Sequence, residues 1–363
     1  MKFKVSKSDL INAIQTVQNV ITPKAALPIL SNILIETGSD SVRLSATDLD
    51  IGISCVIPVN IQEAGAITVP AKRFGDIIKD LPGDGVSIST KKNNSVVIET
   101  ELCQFKIMGL PREEFPKLPE FQNKEAVKID QTILKDMLNL TSFAVSFDET
   151  RYILNGILFK INKGNLTLVA TDGKRLAIAD RKIKQDSEKD IHIIIPLKTI
   201  HELNRNLRDE AEVSLILGNN QVLFDLGKVV IISRLIEGEF PDYKQVVPQA
   251  VETKMKVSRE EFFLAVKRAA LLSTPDYQAV RLEVFKDRVV VSKSTPDIGE
   301  SREEVRIEYK GKEMAIGFNP SYLSDVLKNL HSEKIELELT DSEKPGVIRI
   351  DGYVYIVLPM RLS

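Results

Sequence analysis

Alternation with a period of two gives way to helical spacing at three places along the chain. "FKVSKSDLINAIQTVQNVI" (residues 3–21) starts as apolar–polar alternation and continues as an amphipathic helical stripe. "VKIDQTILKDMLNLTSFAVS" (127–146) and "MKVSREEFFLAVKRAALLS" (255–273) repeat the pattern. Val5, Ile129 and Val257 correspond, and Ser6, Asp130 and Ser258 follow them as N-cap residues whose oxygens can accept a free amide of the first turn. A second strand–helix–strand pattern recurs halfway through each copy, at 67–90, 193–217 and 314–339, with Ile77, Leu203 and Val326 in register. Pro70 and Pro196 stand at helix entrances, where the missing N–H is not needed.

A third likeness joins "ATDLDIGI" (46–53) to "ATDGKRLAIA" (170–179), with "KSTPDIGE" (293–300) as a weaker third copy. Asp48 and Asp172 fall at matching positions, which suits an Asx turn after a strand better than a catalytic role. Gly83 and Gly85 read as a tight turn between helix and strand, and the Asn pairs at 93–94 and 219–220 as hairpin turns. The proline-rich "PREEFPKLP" (111–119) and "GEFPDYKQVVP" (238–248) close the first two copies and read as linkers. The pattern predicts an α+β protein of three repeated domains, 1–124, 125–252 and 253–363, each with two helices packed on antiparallel sheets.

Composition changes this picture little. Hydrophobic residues make up 43%, enough for real cores, and no run approaches the ~18 apolar residues of a membrane helix. The start, "MKFKVSKSDLINAIQ", lacks a signal-peptide core, so a cytoplasmic location is expected. Cys55 and Cys103 form no CxxC and read as small hydrophobes of a reduced protein. No catalytic motif appears. Gly173-Lys174 is followed by Arg175 and preceded at the first P-loop position by Leu168, so that motif fails twice. His192, His201 and His331 have no metal-ligand spacing, and neither a metal nor a cofactor is expected. Pairs such as Glu113-Glu114 and Glu303-Glu304 read as solvated.

The 49 basic and 51 acidic residues give a net charge of −2, which argues against a generic basic nucleic-acid binder. Net charge does not say where charges sit, however. Lys7, Lys72, Arg73, Lys79, Lys135, Lys198, Arg205, Lys267, Arg268 and Lys328 put a cation on or at the start of every predicted helix. Gathered on one wall, such cations would contact phosphates without reading sequence. From the residues alone three readings stay open: a DNA-binding protein without chemistry, a repeat-built enzyme with its site near Asp172 and Lys174, and a peptide-binding scaffold.

"ATDGKRLA", "GEFPDY", "FNPSYLSDVL", "RYILNG", "LPILSNILIE" and the terminal "VLPMRL", in this order-specific set over all three copies, resemble the bacterial DNA polymerase III beta-subunit family, the sliding clamps. The resemblance runs from residue 1 to 363 and implies a head-to-tail homodimer, a six-domain ring around duplex DNA held without sequence preference. It implies no enzymatic activity. It also implies a pocket for short peptides of the replicative polymerase, the clamp loader and repair proteins. Its wall here would be Leu154, Thr171, Gly173, Lys174, Arg175, Leu176, Pro241, Val246, Asn319, Tyr322, Val357, Pro359, Met360, Arg361 and Leu362. For DNA the resemblance points to Lys24, Arg73, Arg151, Tyr152 and Lys198. For the ring seam it points to Phe105 and Ile107 against Leu271 and Leu272, with Arg73 facing Glu300, Glu303 and Glu304. Four departures stand out: Lys174 where the family often has histidine, Gln245 where it often has arginine, Ile153 in place of an aromatic, and Leu102, Cys103 and Gln104 in place of a basic cluster. The last implies a seam that relies more on apolar contact.

Overall fold

The structure is a computed structural model that describes residues 1–22, 27–119, 121, 125–184, 190–209, 211–249 and 253–362. The chain forms two compact units, one of Met1–Thr132 with Lys198–Leu235, the other of Ile133–Leu197 with Ile236–Ser363. The predicted helices form as α1 (Lys7–Gln18), α2 (Ala71–Asp80), α3 (Gln131–Thr141), α4 (Leu197–Asn206), α5 (Arg259–Ala270) and α6 (Pro320–Asn329). Three follow strands whose alternation buries every second residue: Phe3 and Val5, Val127 and Ile129, Met255 and Val257. The three predicted caps are in place. Ser6 accepts from the Asp9 amide, Asp130 from the Thr132 amide and Ser258 from the Glu261 amide. Each satisfies one of the free amides at a helix start.

Among the described residues every strand pairing is antiparallel. The first unit holds a five-stranded sheet, which ends at the edge strand Gln104–Met108, and an eight-stranded sheet. The second holds a sheet of twelve strands. Both large sheets contain the same junction. The last strand of the second sequence copy, Val229–Arg234, pairs with Ile51–Pro58 of the first, setting Ile231 opposite Ile53. The last strand of the third copy, Tyr353–Val357, pairs with Arg175–Lys182 of the second, setting Ile356 opposite Leu176. Each unit is thus assembled from parts of neighbouring copies.

The proline-rich segments are tighter than the linker reading anticipates. Phe115 is buried with Ile29, Leu30 and Leu34. Phe240, Tyr243 and Val247 pack against a cluster that includes Leu176, Ile178 and Ile356. The aromatic and aliphatic residues between the prolines pin both segments to a sheet. The thiol reading holds for buried Cys55, whereas Cys103 is half-buried beside the Thr100 hydroxyl. No helix among the described residues is long and apolar enough to cross a membrane.

The repeated aspartates make the expected turns. Asp48 Oδ1 accepts from the amides of Asp50 and Ile51, and Asp172 Oδ1 from those of Lys174 and Arg175. The next residue is left-handed in all three copies: Leu49 at φ 82°, Gly173 at φ 85° and Asp297 at φ 62°. Leucine carries a steric cost there that glycine does not. Leu49 is also exposed, so little packing offsets it. Leu49→Gly should therefore raise stability by about 1 kcal/mol, read from the urea midpoint at unchanged m. An unchanged or lower midpoint would show that the turn carries no strain.

Candidate functional site

The turn Thr171–Arg175, expected in the peptide pocket, is fixed by short-range bonds. Thr171 Oγ1 donates to the Arg175 carbonyl at 2.6 Å and accepts from the Gly173 amide at 3.1 Å. Gly173 suits this turn. Its φ is left-handed, and a Cβ there would lie 2.9 Å from Nη1 of Arg151. Arg151, expected to contact DNA, thus reaches over this turn from the short helix Glu149–Leu154, while Tyr152 beside it is exposed. The Leu358 amide donates to the Lys174 carbonyl at 2.9 Å, which ties the chain end to the same turn.

Arg175 is the centre of the arrangement. It is 8% exposed and its guanidinium is used on every side. Nε donates to Asp172 at 3.0 Å, Nη1 to Asp325 of α6 at 2.6 Å and Nη2 to the Phe143 carbonyl. Its plane lies 4.4 Å from the ring centre of Tyr322 and 5.5 Å from that of Phe143. Burial opposes its charge, but the hydrogen bond to Asp325 and the nearby carboxylates outweigh burial and raise its pKa. Burial, together with the charge of Asp172, also pushes the Tyr322 phenol up, so it stays neutral. Tyr355, whose pKa burial raises strongly, donates to the Tyr322 carbonyl at 2.8 Å. Tyr322 is therefore held from both ends.

Beside this network lies an apolar face. Leu176, Ile178, Ile194, Val347 and Ile356 are buried, with Ile153, Phe240, Tyr243, Val247 and Val354 half-buried against them. Of the expected wall residues, Val246, at 60% exposed, and Pro241 are open to solvent. Leu154 and Thr171 are half-buried. Val357 is fully buried and lies beneath the surface instead of on it. Asn319 caps α6 by accepting from the Ser321 amide. Met360 bridges to Gly317, and Leu362 packs over the same glycine. Pro359 is half-buried, while the side chains of Lys174 and Arg361 are exposed. Sequence reasoning missed Ile178, Val347, Val354, Ile356, Phe240, Tyr243 and Val247. The strand Arg175–Lys182 is buried on both faces over its first five residues, so alternation could not say which face mattered.

The remaining candidates are dispersed. In the first unit Arg73 is exposed on α2, and Lys198 donates to Asp48 and to the Val20 carbonyl. It is therefore not the freely solvated cation that the helix pattern suggested. Lys24 lies outside the described residues. Phe105 is 42% exposed, whereas Ile107 is buried within its own sheet. In the second unit Leu271 is 79% exposed and Leu272 is half-buried. Glu300 is exposed, Glu303 pairs with Arg268, and Glu304 pairs with Arg288 and Arg302.

Arg175→Met should lower stability by about 3 kcal/mol, because it leaves Asp172, Asp325 and the Phe143 carbonyl without their partner. Urea unfolding followed at the second unit measures this. A loss below about 1 kcal/mol would mean that the network contributes little.

Three family models match the chain: the DNA polymerase III beta subunit N-terminal domain over residues 1–119, the central domain over 128–242 and the C-terminal domain over 244–361. The chain is 32% identical over 363 residues to the beta sliding clamp of Chlamydia muridarum, covering 100% of this chain and 99% of that protein. The DNA polymerase sliding clamp of Bacillus subtilis superposes with a TM-score of 0.95 at 31% identity over 100% of both chains. A sliding clamp of Pseudomonas aeruginosa bound to griselimycin superposes with a TM-score of 0.94 at 33% identity, again over 100% of both.

Proposed function

The chain belongs to the DNA polymerase III beta-subunit family, the beta sliding clamps, and on that premise we propose that two copies close head to tail into a ring around duplex DNA. A clamp of this family is a processivity factor without catalytic activity. The observation that carries the ring is a strand left without its partner. Twice within the chain, the last strand of one copy pairs with the strand that follows the Asx-type turn of the preceding copy. The first copy's last strand, Gln104–Met108, is a sheet edge. The third copy's equivalent of the receiving strand is Gly299–Tyr309, whose residues 299–306 pair on one side with Arg288–Thr295 and whose only other pairing among the described residues begins at Ile307. A second chain supplies the missing pairing in both directions, and the rotation closes.

The same reading sets the domains at 1–124, 125–252 and 253–363. Phe105 and Leu271, large exposed apolar side chains, give the seam its contact. Glu303 and Glu304 already have partners in their own chain, so the seam depends less on charge and should survive high salt. Arg73, Arg151, Tyr152 and Lys24 are the DNA contacts, with Lys198 joining them only by exchanging Asp48 for a phosphate. The location is cytoplasmic, with the replication machinery. On nicked circular DNA the protein should be retained, and linearisation should release it. Equal retention on both forms would refute topological binding.

The apolar face beside Arg175 is the groove for clamp-binding peptides of the replicative polymerase, the clamp loader and repair proteins. Aliphatic side chains there adapt to varied guests, with Met360 at the rim. Griselimycin, the ligand of the Pseudomonas aeruginosa relative, is a probe for it. Val246→Glu should weaken griselimycin at least tenfold in a calorimetric titration and leave the melting temperature unchanged, since this side chain is exposed. Unchanged affinity would place the guest elsewhere.

A further inference from the structure

The first unit contains the same groove in a different state. Leu34, Ser45, Ser54, Leu223, Val230 and Ile232, with Phe115 and Leu118 of the covering segment, line a groove of about 950 Å³. The strand registers establish the equivalence. Thr47 faces Gly52 as Thr171 faces Leu176, and Ser45 faces Ser54 as Val169 faces Ile178. Across the junction, Gly52 faces Ile232 as Leu176 faces Ile356, and Ser54 faces Val230 as Ile178 faces Val354. Leu223 then faces Ile232 as Val347 faces Ile356. The covering segments also match: Thr68 bridges to Leu110 as Ile194 bridges to Ile236.

We propose that this first groove is a copy of the peptide groove whose apolar floor position is taken by the chain's own Leu118, so that it holds no peptide guest. The proposal rests on the reading that the second groove takes peptides. Three differences set the first one apart. Gly52 stands where Leu176 fills the floor, and a Cβ at 52 would lie 2.7 Å from Cδ2 of Leu118. Leu118 therefore sits in the space that an apolar floor residue vacates. Ser45 and Ser54 replace Val169 and Ile178, and their hydroxyls bond each other at 2.9 Å. A guest side chain would meet a leucine already in place and a polar pair where the other groove offers hydrocarbon. It would thus gain much less from leaving water. Phe115, buried against Leu34, anchors the covering segment so that Leu118 stays seated. A chain with two equivalent folds thereby offers one peptide site.

Amide hydrogen exchange and calorimetry with griselimycin test this on the full chain. In the wild type the ligand should protect residues 174–178 and 354–357, leave 51–55 and 229–232 unprotected, and bind one equivalent per chain. Leu118→Ala should extend protection to 51–55 and 229–232. Ser45→Val with Ser54→Ile in that background should bind a second equivalent, at least tenfold tighter at the new site than Leu118→Ala alone. The expected protection at 174–178 in each variant certifies that it is folded. Equal protection of both segments in the wild type, or one equivalent in both folded variants, would overturn the proposal. Absence of protection at 174–178 in the wild type would instead overturn the peptide-groove reading, and this one with it.

Discussion

Antiparallel pairing between the last strand of one sequence copy and the post-turn strand of its predecessor is the constraint on which the rest of this structure depends. Each pairing makes one large sheet from two copies. It also buries both members: Ile231 and Ile53 are fully inaccessible, and Ile356 and Leu176 nearly so. Such cross-strand pairs contribute roughly 0.2–1 kcal/mol each beyond their burial, and a one-residue slip would turn every side chain to the wrong face. The register is therefore strongly held. The covering segments follow from it, because a chain that has finished one copy must cross the junction sheet to begin the next. Each crossing lays a phenylalanine, Phe115 or Phe240, on that sheet.

Local features of the chain were legible because their causes are local. The caps at Ser6, Asp130 and Ser258, the helix positions and the Asx turns at 48 and 172 need only a few neighbouring residues, and the structure has them all. Ile107 and Lys198 show where such reasoning stops. Ile107 shares a face of its strand with Phe105, yet only Phe105 is open. Lys198 reads as an outward cation from helical spacing, yet an aspartate 150 positions away captures its ammonium. The pocket floor was hidden for a different reason. Val357, Leu176 and Ile178 lie in strands packed on both sides, where hydrophobicity is continuous and periodicity carries no facing information.

The two aspartate turns show how one local motif comes to serve two purposes. In both, Oδ1 is spent on the turn's own amides, and Oδ2 is left to face a cation. At Asp48 that cation is Lys198, a flexible ammonium whose side chain is still 40% exposed. At Asp172 it is Arg175, a planar fork buried between two rings and shared with Asp325. The first pair is mobile chemistry: an ammonium can exchange one oxygen partner for another at modest cost. The second is fixed, since withdrawing any one of its partners leaves a buried charge or carbonyl unsatisfied.

That difference follows from what each turn must support. At the matching position Ile51 replaces Arg175, and Gly52 replaces Leu176, so the first turn closes with apolar packing and a leucine from the covering segment. No rigid cation is needed where the chain's own Leu118 takes the floor position. Beside the proposed peptide groove the situation reverses. Phe240, Tyr243 and Val247 of its own covering segment pack on that surface beside the exposed Val246, and its shape must be kept in the absence of a guest. Arg175 does this by joining the turn, the Phe143 carbonyl and the first turns of α6 through one guanidinium, while the Leu358 amide ties the chain end to the same turn. On the proposed peptide reading, pre-organisation of this kind lowers the ordering cost of binding, because the groove is already in the form a guest would meet.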